Sequence, residues 1–277
     1  GITMKTLKEI MDLIELPEII QTELLAMEPS LSLQKKQDEK HIQNLTSPCL
    51  WESSQKYLKE ALTPDKNGFK MLSYMLFAAS YSFEKYKEKG ISQQIFVDTM
   101  KCFTRFMEEH KESYGIYGFD RDFWTGRQLS LQLFRLGELE FETVIENQKK
   151  MVSVHIPSDA ILTEEHCKSS LEMSEVFFEN YDSTYVNVPY VCHSWLLSPA
   201  LRELLPESSN IIKFQNLFTI TETDKSSTNF LMWIFKKADI PVENLPEDTT
   251  LQRNVKKYLM AGGQIGEGSG YIKKEFM

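Results

Sequence analysis

The chain has 277 residues, enough for about two domains at roughly 150 residues each, and its 42% hydrophobic and 26% charged residues are the mixture of a folded globular protein. A net charge of −9, from 40 acidic against 31 basic side chains, with no dense Lys/Arg cluster, argues against nucleic acid as a partner. The apolar runs are short and broken by charge, so neither a membrane span nor a signal peptide is expected, and a cytoplasmic protein is.

From Met4 to about Glu112 the apolar residues recur at helical spacing. Met4, Leu7, Ile10, Met11 and Ile14 form one stripe, ended by Pro17. Phe69, Leu72, Met75, Phe77 and Ala79 lie in a fuller apolar run, and Phe96, Met100, Phe103 and Met107 form a third stripe. The segments 27–30 (MEPS), 47–49 (SPC) and 63–68 (TPDKNG) are expected breaks, with Asp65 or Asn67 capping the helix that follows. Gly1 reads as a tag remnant, with Met4 the natural start. The glycines of SYGIYGFDRDFW (113–124) mark the expected boundary between a helical domain, 1–115, and a second domain, 116–277.

Beyond this stretch the period becomes two. In LGELEFETVI, Leu139, Phe141, Thr143 and Ile145 share one face of a strand, while Glu138, Glu140 and Glu142 share the other, expected to be solvated. A turn at 147–150 leads into a second strand, 151–156, so the pair is expected to form a hairpin. Pro157 closes that strand. Thr163 then caps a helix from 163 to about 180, with Glu164 and Glu165 in its first turn and Cys167, Leu171, Ser174 and Phe178 as its buried stripe. A strand at about 188–195, a short helix opened by Pro199, a strand at about 211–220 and helices near 228–238 and 249–261 follow.

Cys192, His193 and Ser194 stand side by side, but they do not form one catalytic unit. On a strand, Cys192 and Ser194 face one way and His193 the other, with Val191 and Trp195, whereas a nucleophile and its base must lie within about 2.6–3.2 Å. No GxSxG elbow favours a serine hydrolase. The four cysteines, Cys49, Cys102, Cys167 and Cys192, show neither CxxC nor zinc spacing, so structural thiols and no metal are expected.

The segments RLGELEFE (135–142), HIPSDAIL (155–162), CHSWLLSPALRELLPESSNIIKFQNLF (192–218) and LPEDTTLQRNVKKYLMAGGQIGEGSGYI (245–272) resemble the C-terminal half of a bacterial family of two-domain acyltransferases. In that family a helical N-terminal domain precedes a domain like the GNAT transferases, the N-acetyltransferases that use acetyl-CoA. The resemblance implies an α+β protein whose C-terminal domain is a mixed β-sheet flanked by helices. It implies acyl-CoA, typically acetyl-CoA, as cosubstrate and an amine on a small molecule or peptide as acceptor. It further implies that 151–156 is the central strand and 188–195 its splayed neighbour, with the CoA pyrophosphate on Ile156, Pro157, Ser158, Asp159, Ala160, Ile161, Leu162 and Thr163 at the start of the following helix. A helix N-terminus offers unpaired N–H groups and a positive dipole end to such an anion.

For proton transfer, His155 is the first candidate, since it shares a strand face with Met151 and Ser153 rather than with Val152 and Val154; His193, on the neighbouring strand, is the second. The loop departs from the usual glycine-containing phosphate loop. Asp159, Glu164 and Glu165 bring negative charge to it, and one such charge 4 Å from a phosphate costs about 4 kcal/mol before screening. This motivates an alternative, a catalytically inactive GNAT-like module that binds a small molecule or peptide. Gln264, Gly266 and Gly268 offer a second anion-binding pattern. The simpler reading of that segment is a helix stop at Gly262 followed by a bend into a terminal strand.

Overall fold

The computed structural model describes residues 3–277, so Gly1, the expected tag remnant, lies outside the described residues. The chain forms two compact units, divided between Arg135 and Leu136.

The first unit is helical. It contains α1 (Leu7–Leu13), α2 (Glu18–Asn44), α3 (Trp51–Ala61), α4 (Phe69–Glu88), α5 (Gln93–Met100), α6 (Cys102–Tyr114) and α7 (Asp122–Leu129). Its centre is α4, which touches α1, α2, α5 and α7 and buries Leu72, Tyr74, Met75, Leu76, Ala78 and Ala79. A helix apolar around most of its circumference must lie inside, which is why the run beginning at Phe69 carries more than one stripe. Asp65 caps α4 from outside, its carboxylate accepting from the N–H groups of Lys70 at 2.8 Å and Met71 at 2.9 Å.

Two expectations change here. The segment 27–30 does not break the helix, because Pro29 lies within α2 and the chain stays helical on both sides of it. A proline removes one backbone donor, a loss that a long, well-packed helix tolerates. The glycines of 113–124 end α6, with Gly115 left-handed at its C-cap, but they do not end the unit. The helix that follows, α7, packs on α3 and α4: buried Asp122 accepts from Gln55 at 2.5 Å and from Lys59 at 3.0 Å, and the Trp51 indole lies so close over Gly126 that no side chain fits there.

The second unit is built on a six-stranded sheet of order β1-β2-β3-β4-β6-β5. In chain order the elements are β1 (Leu133–Leu136), in which the boundary falls, β2 (Leu139–Glu146), β3 (Lys149–His155), α8 (Glu164–Tyr181), β4 (Tyr190–Ser194), α9 (Leu201–Leu204), α10 (Asn210–Gln215), β5 (Phe218–Asp224), α11 (Phe230–Phe235), α12 (Thr250–Met260) and β6 (Glu267–Ile272). The hairpin β2–β3 turns through Asn147 and Gln148, both with positive φ (51° and 65°), the conformation that matches the twist of a two-residue connection. The β3–α8–β4 unit is a parallel crossover, and the other paired strands for which register is given, β2–β3, β4–β6 and β5–β6, run antiparallel.

One face of the sheet carries the core. Phe141, Val152, Val154, Tyr190 and Cys192 are buried with the α8 stripe Cys167, Leu171, Ser174 and Phe178, all at 1% exposure or less along that stripe. The Ser174 and Tyr190 hydroxyls meet at 2.9 Å, and the Phe141 and Tyr190 rings pack edge-on at 5.9 Å. A smaller cluster of Leu201, Phe230, Ile234, Phe235, Leu245, Val255 and Ile265 holds the later helices.

The strand expected at 211–220 is divided. Residues 210–215 form α10, and only the part from Phe218 is a strand. Adjacent isoleucines favour β structure as isolated residues, but Ser209 caps a helical turn and the Gln215 amide donates to the carbonyls of Leu196 and Ser198, each at 2.8 Å. Tertiary contacts override local preference here.

Candidate functional site

The parallel pair β3–β4 is in register only at Val152 with Tyr190 and Ser153 with Val191. Beyond these pairs β3 continues to His155 and β4 to Ser194, unpaired with one another. The two strands form a fork. On its far side, β4 stays tied to β6 from Val191 through Ser194, so one prong is fixed while the other leads into the loop 156–163. Such a fork leaves backbone groups of adjacent strands available to a ligand lodged between them.

Register assigns the side chains of the fork to faces. Glu140 stands opposite His155 and Glu142 opposite Ser153; Val191 stands opposite Ser153 on one side and Tyr271 on the other; His193 stands opposite Ser269. His155 and His193 therefore share the face away from α8, one on each prong. Cys192 lies on the α8 face. Burial pushes its thiol up to about 12, as it does that of Cys167, so neither is a nucleophile at neutral pH.

Each histidine meets a glutamate. His155 Nε2 donates to Glu142 Oε1 at 2.9 Å, with both side chains largely enclosed. Glu140 and Glu142 are 3% and 9% exposed, so the expectation of a solvated glutamate face is overturned. Period two says which residues share a side; it does not say whether that side is open.

The second pair is built differently. His193 Nε2 meets Glu267, and its Nδ1 meets the Ser269 hydroxyl. The imidazole is 63% exposed while the Glu267 side chain is 6% exposed. That buried carboxylate also accepts from the Ser227 hydroxyl at 2.8 Å and from the Asn229 amide. Glu267 and Ser269 were missed in the sequence because they sit among glycines that read as a bend. That bend is real: Gly262 (φ 91°) follows α12, and Gly266 (φ 66°) leads into β6. The glycines at 268 and 270 lie against the carbonyls of Leu197 and Thr219, where a Cβ would fall within 2.2 and 2.3 Å. Alternation then sends Glu267 and Ser269 to the face of His193, a signal the sequence does contain.

The loop residues lie beyond the β3 prong. Pro157 is buried, Ser158, Asp159 and Ile161 are exposed, and Ile156, Ala160, Leu162 and Thr163 are half-buried. Thr163 caps α8 by accepting from the His166 N–H at 3.2 Å, and its carbonyl accepts from the Cys167 N–H. The N–H groups of Glu164 and Glu165, in the first turn, have no acceptor within the helix. Two features oppose an anion: Glu138 already accepts from the Ile161 N–H at 3.0 Å, and Asp159, Glu164 and Glu165 carry charge. Glu164 is offset by Lys168 at 2.8 Å, which lowers its carboxyl below the usual range. The first-turn N–H groups of α8 are thus the donors this loop leaves to a ligand, with no glycine loop beside them. Among the described residues no group of three or more His, Cys, Asp or Glu side chains is placed to hold a metal ion.

A mixed sheet whose central parallel strands part, with a loop and helix start after the first of them, defines the GNAT-like acyltransferase fold. Residues 133–272 match the GNAT-like C-terminal domain and residues 5–131 the N-acyltransferase N-terminal domain, and the chain belongs to this two-domain acyltransferase family. Solved structures share the fold across both units. An acyltransferase in complex with decanoyl-CoA and teicoplanin is 21% identical, with a TM-score of 0.79 over 96% of this chain and 87% of that one. An acyltransferase mutant in complex with octanoyl-CoA is 20% identical, with a TM-score of 0.81 over 99% and 90%. An acyltransferase in complex with decanoyl-CoA is 20% identical, with a TM-score of 0.80 over 98% and 89%. No curated protein matches the sequence. No helix among the described residues is long and apolar enough to cross a membrane.

Proposed function

We propose that the protein is an acyl-CoA-dependent N-acyltransferase that moves an acyl group to an amine on a small molecule or peptide. The observation that carries this reading is the fork between β3 and β4 past Ser153 and Val191, followed directly by the loop 156–163 and the start of α8. The thioester end of the cosubstrate lies in the fork, and the pyrophosphate meets residues Ile156 to Thr163 and the first N–H groups of α8. Of the two histidines, His193 is the stronger candidate for base, because it is open to an acceptor and its far nitrogen is anchored on a fixed carboxylate. His155, enclosed with Glu142, is assigned to the wall of the fork. The solved neighbours hold decanoyl-CoA and octanoyl-CoA, so medium-chain acyl-CoA thioesters join acetyl-CoA as the cosubstrates to test. We place the reaction in the cytoplasm, in keeping with Cys49, Cys167 and Cys192 standing as thiols.

The Glu138 contact to the Ile161 N–H and the acidic residues around it favour a second reading, a GNAT-like module that binds an acceptor-like molecule without acyl-CoA. One assay separates the two. Acetyl-, octanoyl- and decanoyl-CoA are each incubated with the protein and a panel of amines, and free CoA thiol is followed. Amine-dependent thiol release is expected; its absence with every thioester, together with no thermal stabilisation by any of them, supports the binding module instead.

A further inference from the structure

The surroundings of His193 fix its tautomer. A carboxylate only accepts, so the nitrogen facing Glu267, Nε2, carries the hydrogen of the neutral ring. Nδ1 is then the acceptor, and the hydroxyl that meets it, Ser269 Oγ, donates. Both ring nitrogens are thus engaged. An acceptor amine arriving at this face meets not a bare imidazole nitrogen but the serine oxygen, whose lone pairs are left to accept from an N–H.

From this we infer that Ser269 is a catalytic residue whose hydroxyl relays the proton of the acceptor amine to His193. The inference rests on the acyltransferase reading and deepens it. As the amine nitrogen bonds the thioester carbonyl carbon, the carbon–sulfur bond breaks and its electron pair leaves on sulfur. The nitrogen's proton passes to Ser269 Oγ while the serine's own proton passes to His193 Nδ1. The imidazolium so formed faces Glu267, which is held by Ser227 and Asn229, and being 63% exposed it returns its proton to solvent.

The test compares Ser269→Ala and Ser269→Thr with the unaltered protein. For Ser269→Ala we expect kcat for amine-dependent thiol release to fall on the order of 10²-fold with KM for the thioester unchanged, and for Ser269→Thr much of the loss to be restored. A kcat series in H2O–D2O mixtures is expected to bow for the unaltered protein, with two protons in transit, and to straighten in Ser269→Ala. In 15N spectra of imidazole-labelled protein, which need no turnover, Ser269→Ala shifts the Nδ1 resonance of His193 more than Nε2. Full kcat and an unchanged solvent series in Ser269→Ala overturn the relay alone. An acyl group found on Ser269 by mass spectrometry replaces the relay with a covalent step. No thiol release by the unaltered protein overturns the acyltransferase reading itself.

Discussion

The two prongs of the fork carry the same pair of residue types, a histidine and a glutamate, in opposite arrangements. On β3 the His155 side chain, 25% exposed, meets Glu142, whose side chain is 12% exposed, so both members of the pair are enclosed. On β4 the His193 ring stands open while Glu267 is buried and fixed by two further donors. What distinguishes them is the exposure of the ring, 25% for His155 and 63% for His193. A buried, multiply bonded carboxylate orients an exposed base at little cost in mobility, whereas an enclosed histidine bonded to an enclosed glutamate stabilises a wall. Residue type alone does not separate an exposed imidazole from an enclosed one.

The sharpest way to break this contrast is to remove each ring in turn. His193→Ala is expected to lower kcat for acyl transfer by about 10²–10⁴-fold while stabilisation by acyl-CoA survives. His155→Ala is expected to lower kcat far less. It should instead cost about 1–3 kcal/mol of stability, seen as a lower denaturation midpoint, because it removes a hydrogen bond to a buried carboxylate. If the kinetic losses come out the other way round, the assignment of the two prongs reverses. Between prong and loop, Thr163→Ala removes the α8 cap and should cost about 1 kcal/mol while raising KM for the thioester, with kcat little changed. The smallest effect concerns Cys192, next to His193 in sequence but on the other face. With its thiol pushed up to about 12 by burial, it is mostly protonated at pH 8 and should resist alkylation in the native state, while exposed Cys49 reacts first; mass mapping of iodoacetamide adducts checks this.

Much of this geometry is legible in the residues. The strand from Leu139, the Thr163 cap and the stripe Cys167, Leu171, Ser174 and Phe178 appear in the structure as the spacing predicts, while the turn expected at 147–150 is shorter, Asn147 and Gln148 alone, with Lys149 and Lys150 already in β3. Each is a local pattern with one physical solution. What spacing could not supply is information that arises between distant segments. Glu140 and Glu142 turn out buried because enclosure of a sheet face is a tertiary property. Asn210–Gln215 is helical because Gln215 reaches carbonyls in another segment. The partners of His193 lie in β6, 76 residues along the chain for Ser269, and only strand register brings them opposite.

With acyl-CoA in the fork between β3 and β4, calorimetric titration of decanoyl-CoA into the full chain gives saturable one-to-one binding that Thr163→Ala weakens and His193→Ala leaves in place. Titrations showing no heat of binding up to millimolar thioester, or binding indifferent to Thr163, would contradict that placement.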